Sequence, residues 1–468
     1  MAERMTSEKR TVLSLAVLAS FVVFLDGSVV NVALPAITAD VGGGLVVQQW
    51  IVDAYLITLG SLILVAGSLS DVFGQVRVMR YGLIGFAAAS VAIGCAPTPE
   101  LVVIMRGVQG IAGALLVPSS LALITSTFRD EERGRAIGVW TSLTSGAMIV
   151  GPMLGGLFVD LGLWRGIFFI NVFPVGVALF LLAGLRRVDV RAPGSAVDYL
   201  GAVLCAAGLG GVVFALIELP RLGADNPAIF VPAVVGVLAL AGFVWRQAAI
   251  TYPLMPLDLF RVRNFWTGNI ATVFIYAALS LSGFVIVVYL QQEAGVSALE
   301  AGLSMLPVTI LMILFSSRVG RLSGRYGPRF FMTVGPLVSA AGTLLMLGIR
   351  PDYSYWTQLL PGVVLFGVGL TLTVAPLTSA ILGSIDTGRS GIASAVNNAV
   401  SRIAGLVITA MLGVIVGERL DLAGFGRSLI VCAVLLAAGG IVSFLGIRTP
   451  RLSETSPVSG PSEKPRQD

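Results

Sequence analysis

Apolar residues fall along this chain in long unbroken runs, not in the narrow stripes of soluble helices. Fourteen runs, at about 12–34, 47–69, 80–97, 101–125, 136–158, 165–185, 199–217, 228–246, 267–290, 300–317, 331–349, 358–383, 391–416 and 426–447, each approach the roughly 20 residues that a helix needs to cross a bilayer. The polar connectors between them are short. The pattern predicts fourteen up-and-down membrane helices, spans 1 to 14, with no large soluble domain.

Composition agrees. Of 468 residues, 56% are hydrophobic and 12% charged, against about 25% charged in ordinary domains. The net charge of +5 comes from arginines scattered over loops, so nucleic acid is not an expected partner. The absence of histidine excludes His-based metal sites, Ser-His-Asp catalysis and a histidine relay. Cys95, Cys205 and Cys432 lie far apart in apolar runs and read as small hydrophobes. The first run is too long for a cleavable signal peptide. No Gly-x4-Gly-Lys loop marks an ATP site. No metal, cofactor or enzyme activity is expected.

Basic residues set the expected orientation. Of the 30 Lys and Arg, 23 fall on the side of the termini, 5 on the other, and Arg106 and Arg402 inside spans. Both termini are therefore expected in the cytoplasm of what is expected to be a bacterial cell. The tail at 448–468, rich in Ser, Pro and charge, reads as a disordered cytoplasmic segment.

A repeat divides the chain. Gly67-Ser-Leu69-Ser70-Asp71-Val-Phe-Gly74-Gln-Val-Arg77 joins spans 2 and 3. Gly320-Arg-Leu322-Ser323-Gly324-Arg325-Tyr-Gly327-Pro-Arg329 joins spans 10 and 11. Parallel six-helix halves follow, a known transporter construction. The expected division is 1–185 for the first half, 186–265 for a linker with spans 7 and 8 as an inserted pair, and 266–447 for the second half.

Ionisable residues inside a bilayer are costly and call for a task or a partner. Asp26 lies about 14 residues, ~21 Å, into span 1. Asp53 lies about 6 residues, ~9 Å, down span 2 from the other side, and Arg106 is about 5 residues down span 4 from that same side. The three can share one depth. They then act in proton or cation coupling, or they form a static bridge among three helices. Gly151, Gly155 and Gly156 beside Pro152 on span 5 present a small-residue packing face. Asn397, Asn398 and Arg402 on span 13 either line a cavity or tie helices. Trp50 and Tyr55 either stack on a substrate or mark the interface belt.

At this point the chain resembles the major facilitator superfamily, and within it the fourteen-spanner drug–proton antiporters of multidrug-efflux type. Span 1 carries Leu25-Asp26-x-Ser-Val-Val-Asn31-Val-Ala-Leu-Pro35 and span 2 Gln49-Trp50-Ile-Val-Asp53-Ala-Tyr55. Span 4 carries Arg106-Gly-Val-Gln109-Gly110-x-x-Gly113-Ala114. Span 5 carries Gly146-x4-Gly151-Pro152-x-x-Gly155-Gly156, similar to the antiporter motif. Tyr289-Leu-Gln291, Gly302-Leu303 and Pro307 fit the ninth and tenth helices. The loop motif departs from the family at Val72, Gln75 and Val76.

The resemblance implies a monomeric all-α membrane transporter that exports lipophilic small molecules in exchange for protons by alternating access. It implies a cytoplasmic gating latch around Asp71, Arg77 and Arg325, a conformational seal at the span 5 glycines, and a cavity to which Asn31, Trp50, Tyr55 and Gln109 contribute. Membrane lipids and protons are the other expected partners. A dedicated exporter of one metabolite, antibiotic or lipid is an alternative. A membrane sensor or enzyme is a weaker one, for want of a metal set, a nucleophile–base pair or an output domain. With only Asp26 and Asp53 as interior acids of the halves, the cargo is expected to be neutral or singly charged.

Overall fold

The computed structural model describes residues 6–448 except 129, 186–196, 252, 350–352, 387, 388, 418 and 419; at 64, 71, 130, 131, 134, 390 and 391 it describes the backbone alone. Of the tail expected at 448–468, all but the first residue lies outside the described residues, as does much of the linker expected at 186–265.

All fourteen predicted spans are present. They run Ser7–Val41, Gly44–Phe73, Gln75–Gly94, Pro99–Thr127, Arg135–Asp160, Gly166–Gly184, Tyr199–Leu222, Pro227–Ala249, Arg263–Gln292, Ala298–Tyr326, Pro328–Gly348, Tyr355–Leu382, Ile392–Ala410 and Leu422–Gly446. Most extend a few residues past the apolar runs, because polar caps hold the first turns. Thr6, Thr98, Asp198, Asn226 and Asp421 each accept a backbone N–H at the start of a span, satisfying donors that the helix leaves unpaired. Span 13 is the exception. It stops at Ala410, and the apolar residues after it form a separate short helix, Leu412–Val416.

Both ends of the bundle lie on one face, here the terminal face, since the number of spans is even. The repeat predicted from the two loops is visible in the backbone. Gly74 and Gly327 close the turns after spans 2 and 10 with φ of 96° and 86°, values that glycine adopts without steric cost.

Two six-helix bundles result, with spans 7 and 8 added to their side. Span 7 packs on span 2 of the first bundle and on span 13 of the second. Its Pro220 ring lies 3.1 Å from the position a Cβ on Gly413 would take. The inserted pair thus covers one seam between the halves. On the other side, span 5 meets span 10 close to the face opposite the termini. A Cβ on Gly156 would fall 2.3 Å from Leu299 Cα, and one on Gly302 2.7 Å from the Pro152 carbonyl. Asp160 accepts the backbone N–H groups of Ala298 and Leu299 at 2.9 and 3.0 Å, at the start of span 10. Small residues let backbones approach this closely.

The other described hydrogen bonds between the halves cluster toward that same face. Gln49 donates to the carbonyls of Thr409 and Ala410, and Gln291 to that of Val32. Toward the terminal face, Leu143 and Met148 on span 5 and Ile313 and Leu314 on span 10 are exposed. Gly27, in the middle of span 1, is exposed and has no atom within 4 Å of a would-be Cβ. A cleft between the halves therefore opens toward the terminal face.

Candidate functional site

Five helices converge on Asp26. Its Oδ2 accepts from Arg106 Nη1 at 2.5 Å, and its Oδ1 from Gln109 Nε2 at 2.9 Å and Asn171 Nδ2 at 3.0 Å. Ser90 Oγ accepts from the same two amides. Arg106 also donates to Gln109 Oε1 at 2.7 Å and, through Nε, to the Ile51 carbonyl at 3.1 Å. Its guanidinium lies 4.2 Å from the centre of the Tyr55 ring. Spans 1, 2, 3, 4 and 6 are tied together by this network. Apart from Asn171 Oδ1, which is buried without a partner among the described residues, it is closed: charge meets charge, and Gln109 and Ser90 are each shared between partners. Such closure is what a low-dielectric interior demands of a buried ion pair.

The sequence reading grouped Asp26, Asp53 and Arg106. The structure pairs the first and last and leaves Asp53 outside. Asp53 is fully buried, and among the described residues neither carboxylate oxygen has a hydrogen-bond partner. Its helix turns past Gln49, one turn away, which bonds span 13, so Asp53 faces the seam between the halves. A carboxylate stripped of water and of donors is expensive when charged.

Two expected cavity residues need correction. Gln109 does not line a cavity: both ends of its amide are consumed by Asp26, Ser90 and Arg106. Trp50 points to the inserted pair, donating its Nε1–H to Glu218 of span 7 at 3.2 Å with its ring 6.0 Å from Phe214. Tyr55 is 2% exposed and wedged beneath Arg106, its hydroxyl 3.4 Å from the Val23 carbonyl. Asn397 ties span 13 to span 9, donating to Asn269 and Thr272 at 3.1 and 2.9 Å. Asn398 is exposed, and Asn31 and Arg402 are half-buried. On span 1, Phe24, Gly27 and Asn31 follow at helical spacing along the cleft.

The span 5 glycines lie against neighbouring helices. A Cβ on Gly151 would fall 1.9 Å from Ser28 Oγ, and one on Gly155 2.8 Å from the Val29 carbonyl. With Gly156 against Leu299, span 5 is pressed between span 1 and span 10, and Pro152 belongs to the same crossing. Arg77 and Arg325 are exposed at the terminal face; the Asp71 side chain lies outside the described residues.

Three residues of the site were missed. Asn171 and Ser90 complete the Asp26 network, and each is a polar residue in an apolar run, which was the available signal. Glu218 was placed beyond span 7 because the apolar run ends at Ile217, but the helix continues to Leu222 and buries it. It is also paired with Arg221 at 2.7 Å.

The Major Facilitator Superfamily model matches residues 16–409. The tetracenomycin C resistance and export protein of Streptomyces glaucescens is 33% identical over 87% of this chain and 76% of its own. The multidrug resistance protein Stp of Mycobacterium tuberculosis (strain CDC 1551 / Oshkosh) is 32% identical over 86% and 74%. The cephamycin export protein CmcT of Amycolatopsis lactamdurans is 31% identical over 88% and 86%. Among solved structures, a bacterial homologue of the lysosomal transporter Spinster, inward-facing and unoccupied, superposes with a TM-score of 0.67 at 14% identity, over 94% of this chain and 97% of that one. A D-xylose–proton symporter gives 0.67 at 14%, over 95% and 99%. These last two share the fold alone. The family is one of transporters, not of enzymes, and with its fourteen spans and its resistance-protein relatives this chain belongs to the Major Facilitator Superfamily, among the drug-efflux members of fourteen-span type.

Proposed function

We propose that this protein exports lipophilic toxic compounds from the cytoplasm or inner leaflet in exchange for protons. Relatives named as resistance and export proteins support the direction and the cargo class. The excess of basic residues on the terminal face supports cytoplasmic termini, which makes this conformation the one that loads cargo from inside.

The observation that carries proton coupling is Asp53. Asp26 already has a full set of partners; Asp53 has none, and it stands at the seam whose opening the transport cycle requires. Binding a proton removes the cost of its buried charge. When the seam opens to the outside and water reaches it, either charge state is tolerated. Such a group favours one conformation when protonated and the other when not, which is the differential interaction that coupling needs. The membrane potential supplies about 2.3 kcal/mol per charge per 100 mV, and the proton gradient about 1.4 kcal/mol per pH unit.

The test is a panel of dyes and drugs in proteoliposomes with an imposed pH gradient. Wild-type protein accumulates at least one compound against its gradient. Asp53→Asn loses accumulation and keeps downhill movement, since the substitution preserves shape and removes titration. Wild-type accumulation by that variant overturns Asp53 as the coupling acid.

A further inference from the structure

Arg402 enters the cleft from the second half with no counter-ion. It lies on span 13, one turn beyond Asn398. It takes part in none of the ion pairs of the described residues, and its Nε is buried without a hydrogen-bond partner. Its guanidinium sits 5.9 Å from the centre of the Phe24 ring on span 1. Tyr55 and Tyr276 are within its electrostatic reach.

The other interior charges are accounted for. Asp26 and Arg106 cancel within one network, and Asp53 has no hydrogen-bond donor among the described residues. Arg402 is therefore the one uncompensated cation among the described interior residues. Guanidinium does not lose its proton in proteins, so it cannot relieve its cost by neutralising. A permanent partner would be a buried acid, and spans 9 to 14 place none beside it. The remaining source of a counter-ion is a molecule that visits the cleft.

We propose that the cleft binds a lipophilic monoanion, with its acidic group on the Arg402 guanidinium and its apolar body against Phe24 and Tyr276. The guanidinium fork matches a carboxylate or sulfonate with two parallel hydrogen bonds, Asn398 adds a donor at the rim, and the aromatic faces take the rest. This rests on the export reading and gives the sign of the cargo's charge. It also has an electrical consequence. With one proton inward per anion outward, two positive charges move inward each cycle. A neutral cargo moves one, and a monocation none.

The test uses 1-anilinonaphthalene-8-sulfonate and its neutral parent N-phenyl-1-naphthylamine, which differ by the sulfonate, with ethidium as the cation. The full-length protein is reconstituted in proteoliposomes with an imposed pH gradient and, separately, a potassium diffusion potential; protein-free vesicles supply the background. Wild-type protein is expected to saturate with the sulfonate at a concentration about tenfold below that for the parent. Its export should respond more steeply to the membrane potential. Arg402→Gln should abolish that preference while leaving transport of the neutral parent in place, and Arg402→Lys should keep part of it. The wild-type comparison needs no variant, so a poorly inserting Arg402→Gln does not decide the matter. Movement of the parent or of ethidium with the sulfonate ignored overturns the anion site and leaves export standing. So does equal loss of sulfonate and parent in well-inserted Arg402→Gln. No gradient-driven movement of any probe by folded, inserted protein overturns both readings.

Discussion

The carboxylate of Asp26 meets the guanidinium of Arg106 at 2.5 Å, with the two side chains 0% and 2% exposed. Removing one partner of such a pair leaves the other charged and unpaired in the interior, which typically costs 3–5 kcal/mol. Asp26→Asn is thus expected to lower the melting temperature of the purified protein markedly. Asp53→Asn, which breaks no bond, is expected to leave it near that of the wild type. Removing Arg106 as well, in Asp26→Asn/Arg106→Gln, should recover part of the loss. The sequence alone leaves two roles open for Asp26, proton or cation coupling and a static bridge among helices; this comparison of variants separates them. Equal melting of Asp26→Asn and wild type would refute the structural role.

Where span 5 crosses span 10, a side chain at position 156 has nowhere to go, since its Cβ would meet the Leu299 backbone at 2.3 Å. Overpacking of this kind costs about 1–3 kcal/mol. Gly156→Val is expected to insert normally and to turn over cargo far more slowly, because the helices can no longer close. Gly155→Leu, aimed at the Val29 carbonyl, should behave alike. Wild-type turnover in either well-inserted variant would show that the contact is dispensable.

Trp50 holds the inserted pair. Its N–H on Glu218 is a bond to a charged acceptor, worth about 1.5–3 kcal/mol in typical cases and less where the acceptor shares its charge with an exposed arginine. Trp50→Phe should lower thermal stability modestly and leave half-saturation for every transported compound unchanged. A selective change in affinity for aromatic cargo would put the indole back in the cleft.

At the terminal face, Asp258 accepts from both Nη atoms of Arg389 at 2.6 and 2.9 Å, joining the segment after span 8 to the start of span 13. The Arg389 side chain holds the Asp258 carboxyl below its ordinary range. Lowering in the folded state means that the contribution is complete at neutral pH and is lost only as the pH falls through that lowered value. Asp258→Asn should therefore leave the pH profile of transport between about pH 5 and 8 unshifted. A displaced profile in that variant, measured with the same pH gradient, would implicate the pair in coupling.

Much of the architecture was readable in one dimension. Spanning a bilayer imposes a local requirement, about 20 apolar residues in sequence, so the fourteen runs were visible without knowing what they touch. The turns at Gly74 and Gly327 were visible for a similar reason, since their repeat is a matter of spacing. Helix ends were less so. Thr6 and Asn226 extend their spans through hydrogen bonds that hydropathy does not register, and span 7 runs past its apolar stretch to Leu222, which buries Glu218.

The site divided along the same line. That Asp26, Asp53 and Arg106 are unusual was evident from their position in apolar runs. Which of them pair was decided only when the helices packed. Asp26 and Asn171 are 145 positions apart and meet at 3.0 Å, and Trp50 and Glu218 are 168 apart. Asp53 and Asp26 are alike in sequence, each an acid in an apolar span, yet one is saturated with donors and the other has none. The difference lies in which face of each helix turns toward which neighbour, and neither a hydropathy run nor a motif encodes it. The chain's own residues determine membrane residence, span number and family; the charge partners, and so the assignment of chemistry among the acids, arise from contacts between helices remote in sequence.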